Sequence, residues 1–348
     1  MSRPHSLALV MLLAACDSSP AAMDGGPDDA ALVEDLDAHL ALLDGGVPLD
    51  AVADEDALTS PDAWVEPPTD AAPRCPSRPS LGLFVWGDDL VTRRDAILTL
   101  AADADVTEIY LHANLFYAGD EDEDTLADWI RAADALCISV ELLFGNARWI
   151  RTASHDEATD RNAWTVAFAA AHPDARPSGI HFDLEPQQLD AWDVEADRPG
   201  LIAELVDVLE EMTPVAEAGG VPLSIDIGFF LDGYEVTRGG RTRPGHEWIT
   251  DAVSRVVVMD YRDSAESMGY GGMISLAEDE VTYASSTSTP IVLAAETISV
   301  SPEYVTFREE GRAALFAEHA LVRAHFPTSS ALAGFAIHDE RGLAALAP

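Results

Sequence analysis

The chain has 348 residues, 48% of them hydrophobic, enough for a large core and for one or two domains. Its 62 acidic residues face only 20 basic ones, all of them arginine, for a formal net charge of −42. A surface of that sign repels phosphate backbones, which excludes nucleic acid as a partner and is compatible with an exported protein acting on a neutral substrate.

Arg3 supplies a short positive region, and residues 6–15 (SLALVMLLAA) form an apolar run of signal-peptide length. A membrane-spanning helix needs ~20 apolar residues, so this run is too short to be one. It ends Leu13-Ala14-Ala15-Cys16, which resembles a bacterial lipobox. That resemblance implies a signal peptide over residues 1–15, lipidation of Cys16 and anchoring to a bacterial membrane, expected to be the outer membrane at its periplasmic or surface face. A plain secretory signal with a chance cysteine is the other reading, and export follows from both. Residues 16–73 are rich in Asp, Ala, Pro and Gly, with no Lys or Arg from Asp17 to Pro73. Such a segment cannot bury enough apolar area to offset chain entropy and is expected to be a disordered acidic tether. Only ALVEDLDAHLALL (31–43) has helical spacing within it.

From about residue 76 the texture changes. Strand-like apolar runs occur at 81–86, 106–116, 137–145, 178–186, 221–230, 254–262, 289–297 and 332–340. Amphipathic helical patterns separate most of them, for example 93–104, 125–136, 198–218 and 308–326, with the interval before 289 the weakest. Strands alternating with helices imply parallel crossover units, and eight units match the size of a (β/α)₈ TIM barrel over residues 74–348. A doubly wound open sheet would also alternate, but no Gly-rich phosphate turn follows the first strand.

Apart from Cys16, the cysteines are Cys75, before strand one, and Cys137, at the start of strand three. Their spacing fits no zinc motif, and no metal site is expected. The barrel topology puts both near its N-terminal face, where a disulfide is expected, two separate buried thiols being the alternative.

Catalytic groups of such barrels sit at the C-terminal ends of strands, and here those ends are polar. They carry Trp86 and Asp88; His112 and Asn114; Trp149; His181, Asp183 and Glu185; Asp226; Asp260, Tyr261 and Asp263; Glu296; and His338. In SGIHFDLEP (178–186) the period of two points His181, Asp183 and Glu185 to one side, and Ile180, Phe182 and Leu184 to the other. Aromatic residues fall in the same loops, which suits carbohydrate rings. Residues 179–185 (GIHFDLE) resemble the DGxDxDxE signature of family 18 glycoside hydrolases, the chitinases and their relatives, and Met259-Asp260-Tyr261 resembles that family's Met-x-Tyr element. The resemblance implies Glu185 as general acid, Asp183 as its partner and Tyr261 as a hydrogen-bond donor to a substrate acetamido group, with no cofactor. Ser178 and His181 replace the family's first Asp pair, LFGN (143–146) stands in place of its SxGG, and His338 replaces a Trp. His181 is expected to hold Asp183 by a hydrogen bond. The expected function is a monomeric glycosidase cleaving N-acetylhexosamine-containing glycans. Two alternatives remain at this point. One is a retaining glycosidase with Glu185 as acid/base and Glu296 as nucleophile. The other is a barrel that binds glycan without cleaving it, Asp183 merely pairing with Arg148 or Arg262.

Overall fold

The computed structural model of the protein describes residues 75–348 except Ser77, Ser267 and Met268. The expected signal peptide, Cys16 and the acidic tether lie outside the described residues. Five strands, β1 (Ser80–Val85), β2 (Glu108–His112), β3 (Ser139–Gly145), β4 (Gly179–Asp183) and β5 (Leu223–Gly228), come first. A hairpin of β6 (Glu235–Arg238) and β7 (Arg241–Pro244) follows, then β8 (Arg255–Met259), β9 (Ile291–Glu296) and β10 (Leu332–His338). All but the hairpin pair in parallel into a closed eight-stranded barrel, with β1 sealing it against β10 through Ser80↔Gly334 to Leu83↔Ile337. The barrel is the (β/α)₈ fold that the strand–helix alternation implies.

Nine helices are described: α1 (Leu90–Asp103), α2 (Asn114–Tyr117), α3 (Glu123–Ala135), α4 (His155–Ala171), α5 (Arg198–Gly219), α6 (Gly245–Ala252), α7 (Met273–Thr287), α8 (Arg312–His325) and α9 (Glu340–Ala345). Their ends follow from sequence. Asp122 caps α3 by accepting from the Thr125 N–H, with Glu123 and Asp124 at its positive end, and α5 stops at Gly220, whose φ of 68° suits a residue without a Cβ. Among the described residues no helix is long and apolar enough to cross a membrane.

Alternate strand residues divide between two environments. Ile180, Phe182 and Leu184 are fully buried in the large core between barrel and helices, while Phe84, Tyr110, Leu143, Val257, Met259, Val292, Ala294 and Ala336 pack together inside the barrel. The structure joins Cys75 to Cys137 by a disulfide with Cα atoms 5.5 Å apart. Two elements carry faint sequence signals. α7 buries Met273, Ala277, Val281 and Ala284, a stripe at helical spacing made largely of small residues, so its apolar signal is weak. The hairpin turns at Gly239-Gly240, both with positive φ, inside a stretch with no apolar alternation.

Candidate active site

At its N-terminal end the barrel interior holds Arg255 between two carboxylates, 2.8 Å from Glu108 and 2.5 Å from Glu141. Above them, Ser224 Oγ donates to Glu141 at 2.6 Å and lies 2.6 Å from His181 Nδ1, while His181 Nε2 lies 2.8 Å from Asp226 Oδ2. Ser224 has one proton, and Glu141 takes it. Its oxygen therefore accepts from Nδ1, Nε2 donates to Asp226, and His181 is an imidazolium. Burial opposes that charge, but the carboxylates of Asp226 and Glu141 outweigh it and raise the pKa to about 9.

This arrangement corrects the expected His181–Asp183 hydrogen bond. Register pairs His181 with Ser224 across β4 and β5, whereas Asp183 stands two residues further along the same strand, a rise of about 6.6 Å. The lateral neighbours win. Ser224, His181 and Asp226 are the residue types of a hydrolase triad, yet Ser224 is 1% exposed and its proton is committed to Glu141. It is an internal link, with no access for a substrate.

The mouth begins above this chain. Pro186 fixes φ and opens a short 3-10 turn, Pro186–Gln188, that folds two glutamine amides back onto Glu185. Gln187 donates at 2.5 Å, and Gln188 donates to the other oxygen. Glu185 is 4% exposed. Asp183 Oδ1 is shielded from solvent and has no partner. Burial, with the charges of Glu185 and Asp226, holds the Asp183 carboxyl well above the usual range, so it keeps its proton. Gly145 makes room beside it: a Cβ there would lie 3.2 Å from Asp183 Cβ and 3.3 Å from the Trp86 ring. Trp86 and Asp183 thus share one wall, and Trp86 Nε1 has no partner among the described residues.

On another side of the mouth Glu296 is tightly held. Its Oε1 accepts from the N–H groups of Thr297 (2.7 Å) and Ile298 (2.9 Å), and its Oε2 lies 3.0 Å from His338 Nδ1. Burial works against a charge on His338, but Glu296 prevails and raises its pKa to about 9. The Tyr261 ring lies 6.1 Å from the His338 ring, and Phe84 lies 5.6 Å from both imidazoles, forming a floor between the two cations. Asp339, next in sequence, turns away to cap α9 through the Gly342 N–H.

The other expected residues sort by position. His112 accepts from Asn114 at 3.1 Å, Asn114 accepts from Arg161 at 3.0 Å, and the Arg161 guanidinium lies 4.1 Å from Trp149 and 4.3 Å from Tyr117. One face of Trp149 is therefore covered by a cation rather than open for stacking. Asp88 is exposed on the rim and Asp263 is half-buried in the loop after β8. Asp260 stands on the opposite side of the chain from Tyr261, outside the barrel interior, where burial holds its carboxyl well above the usual range and it lies near Glu280 of α7, itself raised by burial. Asp183 forms an ion pair with neither Arg148 nor Arg262, and Arg262 donates to the carbonyls of Tyr261 (2.6 Å) and Gly271 (3.2 Å). Sequence reasoning missed Glu108, Glu141, Arg161, Ser224, Gln187 and Gln188. For Glu141 and Ser224 a signal existed, a polar residue at the inward parity of an apolar strand.

No protein-family model matches the chain, and neither does any curated protein sequence. Among solved structures it is similar to a chitinase from Chromobacterium violaceum ATCC 12472 (14% identity, 77% of this chain and 98% of that one, TM-score 0.47). It is similar as well to a class V chitinase from Pseudomonas fluorescens Pf-5 (13% identity, 77% and 99%, TM-score 0.48). A D-psicose 3-epimerase from Clostridium cellulolyticum H10 is a further neighbour (12% identity, 74% and 83%, TM-score 0.44). Residue roles rest on the geometry of this site, because a barrel fold does not by itself define a chemistry.

Proposed function

We propose that the protein is a glycoside hydrolase cleaving N-acetylhexosamine-containing glycans, with Glu185 as general acid. The observation that carries this reading is the Asp183–Glu185 pair at the barrel mouth, in which Asp183, its Oδ1 buried without a partner and its carboxyl raised well above the usual range, adjoins a Glu185 held by two glutamines. An acetamido N–H reaching Asp183 favours its carboxylate form, and the proton passes to Glu185. Glu185 then protonates the leaving glycosidic oxygen while the acetamido carbonyl oxygen bonds to the anomeric carbon. Tyr261 donates to that carbonyl. Water opens the resulting ring and returns its proton to Glu185.

Glu296 fits a supporting role in this scheme. Three donors, one of them an imidazolium, occupy its two oxygens and fix its position near developing positive charge. The same engagement disfavours it as a nucleophile. The test uses the full chain on N-acetylhexosamine oligomers and on the same oligomers deacetylated. Cleavage of the acetylated set alone, weakened in Asp183→Asn and Tyr261→Phe, supports the scheme. Equal cleavage of both sets, or a glycosyl adduct trapped on Glu296, moves the reading to a strand-seven nucleophile. Saturable binding with no turnover makes the barrel a glycan-binding module. We further propose that Cys16 carries a lipid that anchors the protein to the outer membrane. Fatty-acid labelling present in wild type and absent in Cys16→Ser tests this.

A further inference from the structure

At the opposite end of the barrel from the mouth lies a cavity of about 710 Å³, within the ~300–1,000 Å³ typical of small-molecule sites. The segment leading into β1, the end of α1 and one face of α8 line it, and it opens to solvent. Arg312, Phe316, His319 and Arg323 recur along α8 at spacings that put them on that face. Its walls combine aromatic rings with guanidinium groups. Arg323 lies 5.0 Å from the centre of the Phe335 ring, and Arg312 lies 5.8 Å from that of Phe316. Arg78 is the third arginine of the lining. Each spends a nitrogen on a backbone carbonyl, of Leu332, Asp103 and Cys137 respectively for Arg323, Arg312 and Arg78, and keeps further donors of its fork.

Two observations separate this cavity from an ordinary surface hollow. The first is charge. Its acidic lining residues are Asp103 and Asp105, both exposed; Asp105, its side chain 88% exposed, lies 4.0 Å from Arg78, a weak surface pair that leaves Arg312 and Arg323 without an acidic partner among the described residues. Three arginines against two aspartates is a reversal in a chain with 20 basic and 62 acidic residues. The second is His319, 5% exposed and stacked on Phe335 at 4.2 Å, whose Nε2 is buried with no partner among the described residues. Burial and the nearby Arg323 charge hold this ring neutral, with its pKa pushed down to about 3. A neutral imidazole beside Arg323, in the tautomer with its proton on Nε2, has one hydrogen bond left to donate to an acceptor.

We propose that this cavity binds one amphiphilic carboxylate, its apolar body against Phe316 and Phe335 and its head group among Arg78, Arg312 and Arg323. The planar fork of arginine matches a carboxylate in a bidentate manner, and a buried unpaired donor gains most from such an acceptor. An acid lacking the apolar body leaves the rings uncovered, and an alcohol lacking the charge leaves Arg312 and Arg323 without a carboxylate.

The test is isothermal titration calorimetry of the full chain with dodecanoate below its micelle threshold, with dodecanol and with acetate. Saturable binding of one dodecanoate is expected, at least tenfold tighter than dodecanol, with no saturation by acetate. Arg312→Gln/Arg323→Gln should weaken dodecanoate at least tenfold with unchanged circular dichroism. If that pair fails to fold, Ala320→Trp, at an exposed lining position, should abolish binding by filling the cavity. Dodecanol binding as tightly as dodecanoate, acetate saturating the site, or wild-type affinity in either variant overturns the proposal.

Discussion

The two ends of the barrel interior differ in how completely their charged groups are paired. Near the N-terminal end, Arg255 meets Glu108 and Glu141 and His181 meets Asp226, all at 2.5 to 2.8 Å. At the mouth, Asp183 Oδ1, Asp226 Oδ1 and Trp86 Nε1 are shielded from water and bonded to nothing in the protein. Asp226 is the joint between them, one oxygen given to His181 and the other left over. Buried polar groups in folded proteins nearly always find partners, because an unpaired one costs roughly 1–3 kcal/mol. The charges of the lower cluster are paired with one another, although Tyr110 Oη beside them is buried without a hydrogen bond. The mouth is what remains when groups are kept for a molecule that arrives later.

If that contrast is right, damage to the lower cluster should register mainly in stability. Arg255→Met leaves Glu108 and Glu141 as buried like charges, and the loss should be about 3–5 kcal/mol in urea unfolding. An unchanged midpoint would mean that the cluster is not a structural core. Nearby, replacing Cys75 and Cys137 by Ser opens a closure of 62 residues, worth up to about 4 kcal/mol in the chain-entropy account. Thermal unfolding with and without reductant measures it, and no difference would count against the bridge.

The imidazolium ions give a pH signature. His181 and His338 have folded pKa values raised to about 9, against about 6.5 unfolded. A raised folded pKa lends stability that is complete below pH 6.5 and is lost as pH rises through 9. Each gap is on the order of 3 kcal/mol, and the raised Asp183 carboxyl acts in the same direction. Melting temperature should therefore fall from pH 6.5 to 9.5; a flat or rising curve contradicts the assignment of charged histidines. The smallest effect has the opposite sign. Asp183→Asn removes an unsatisfied buried carboxyl from the mouth and should stabilise the fold by about 1 kcal/mol at pH 8 while lowering turnover. Destabilisation would place Asp183 with the structural residues.

Much of this was legible in the sequence because parity along a strand is a strong signal. The alternation of His181, Asp183 and Glu185 with Ile180, Phe182 and Leu184 located both the barrel interior and its mouth. What parity cannot show is the neighbour across the sheet. Whether His181 meets Asp183 or Ser224 depends on the β4–β5 register, which no local pattern of residues 178–186 encodes. Asp260 shows a related limit. Its place beside Tyr261 suggested the mouth, but one residue is half a period, and it faces the helices. Arg161 came from α4 and covered Trp149, a contact between segments that sequence spacing does not connect.

The central claim is that the proton kept at the Asp183–Glu185 pair is used on a glycosidic bond. The most direct measurement is turnover of labelled N-acetylhexosamine oligomers by wild type and Glu185→Gln at equal circular dichroism. The account predicts cleavage by wild type and a loss of ~10²–10⁴-fold in kcat for the variant. Undiminished cleavage by Glu185→Gln would contradict it.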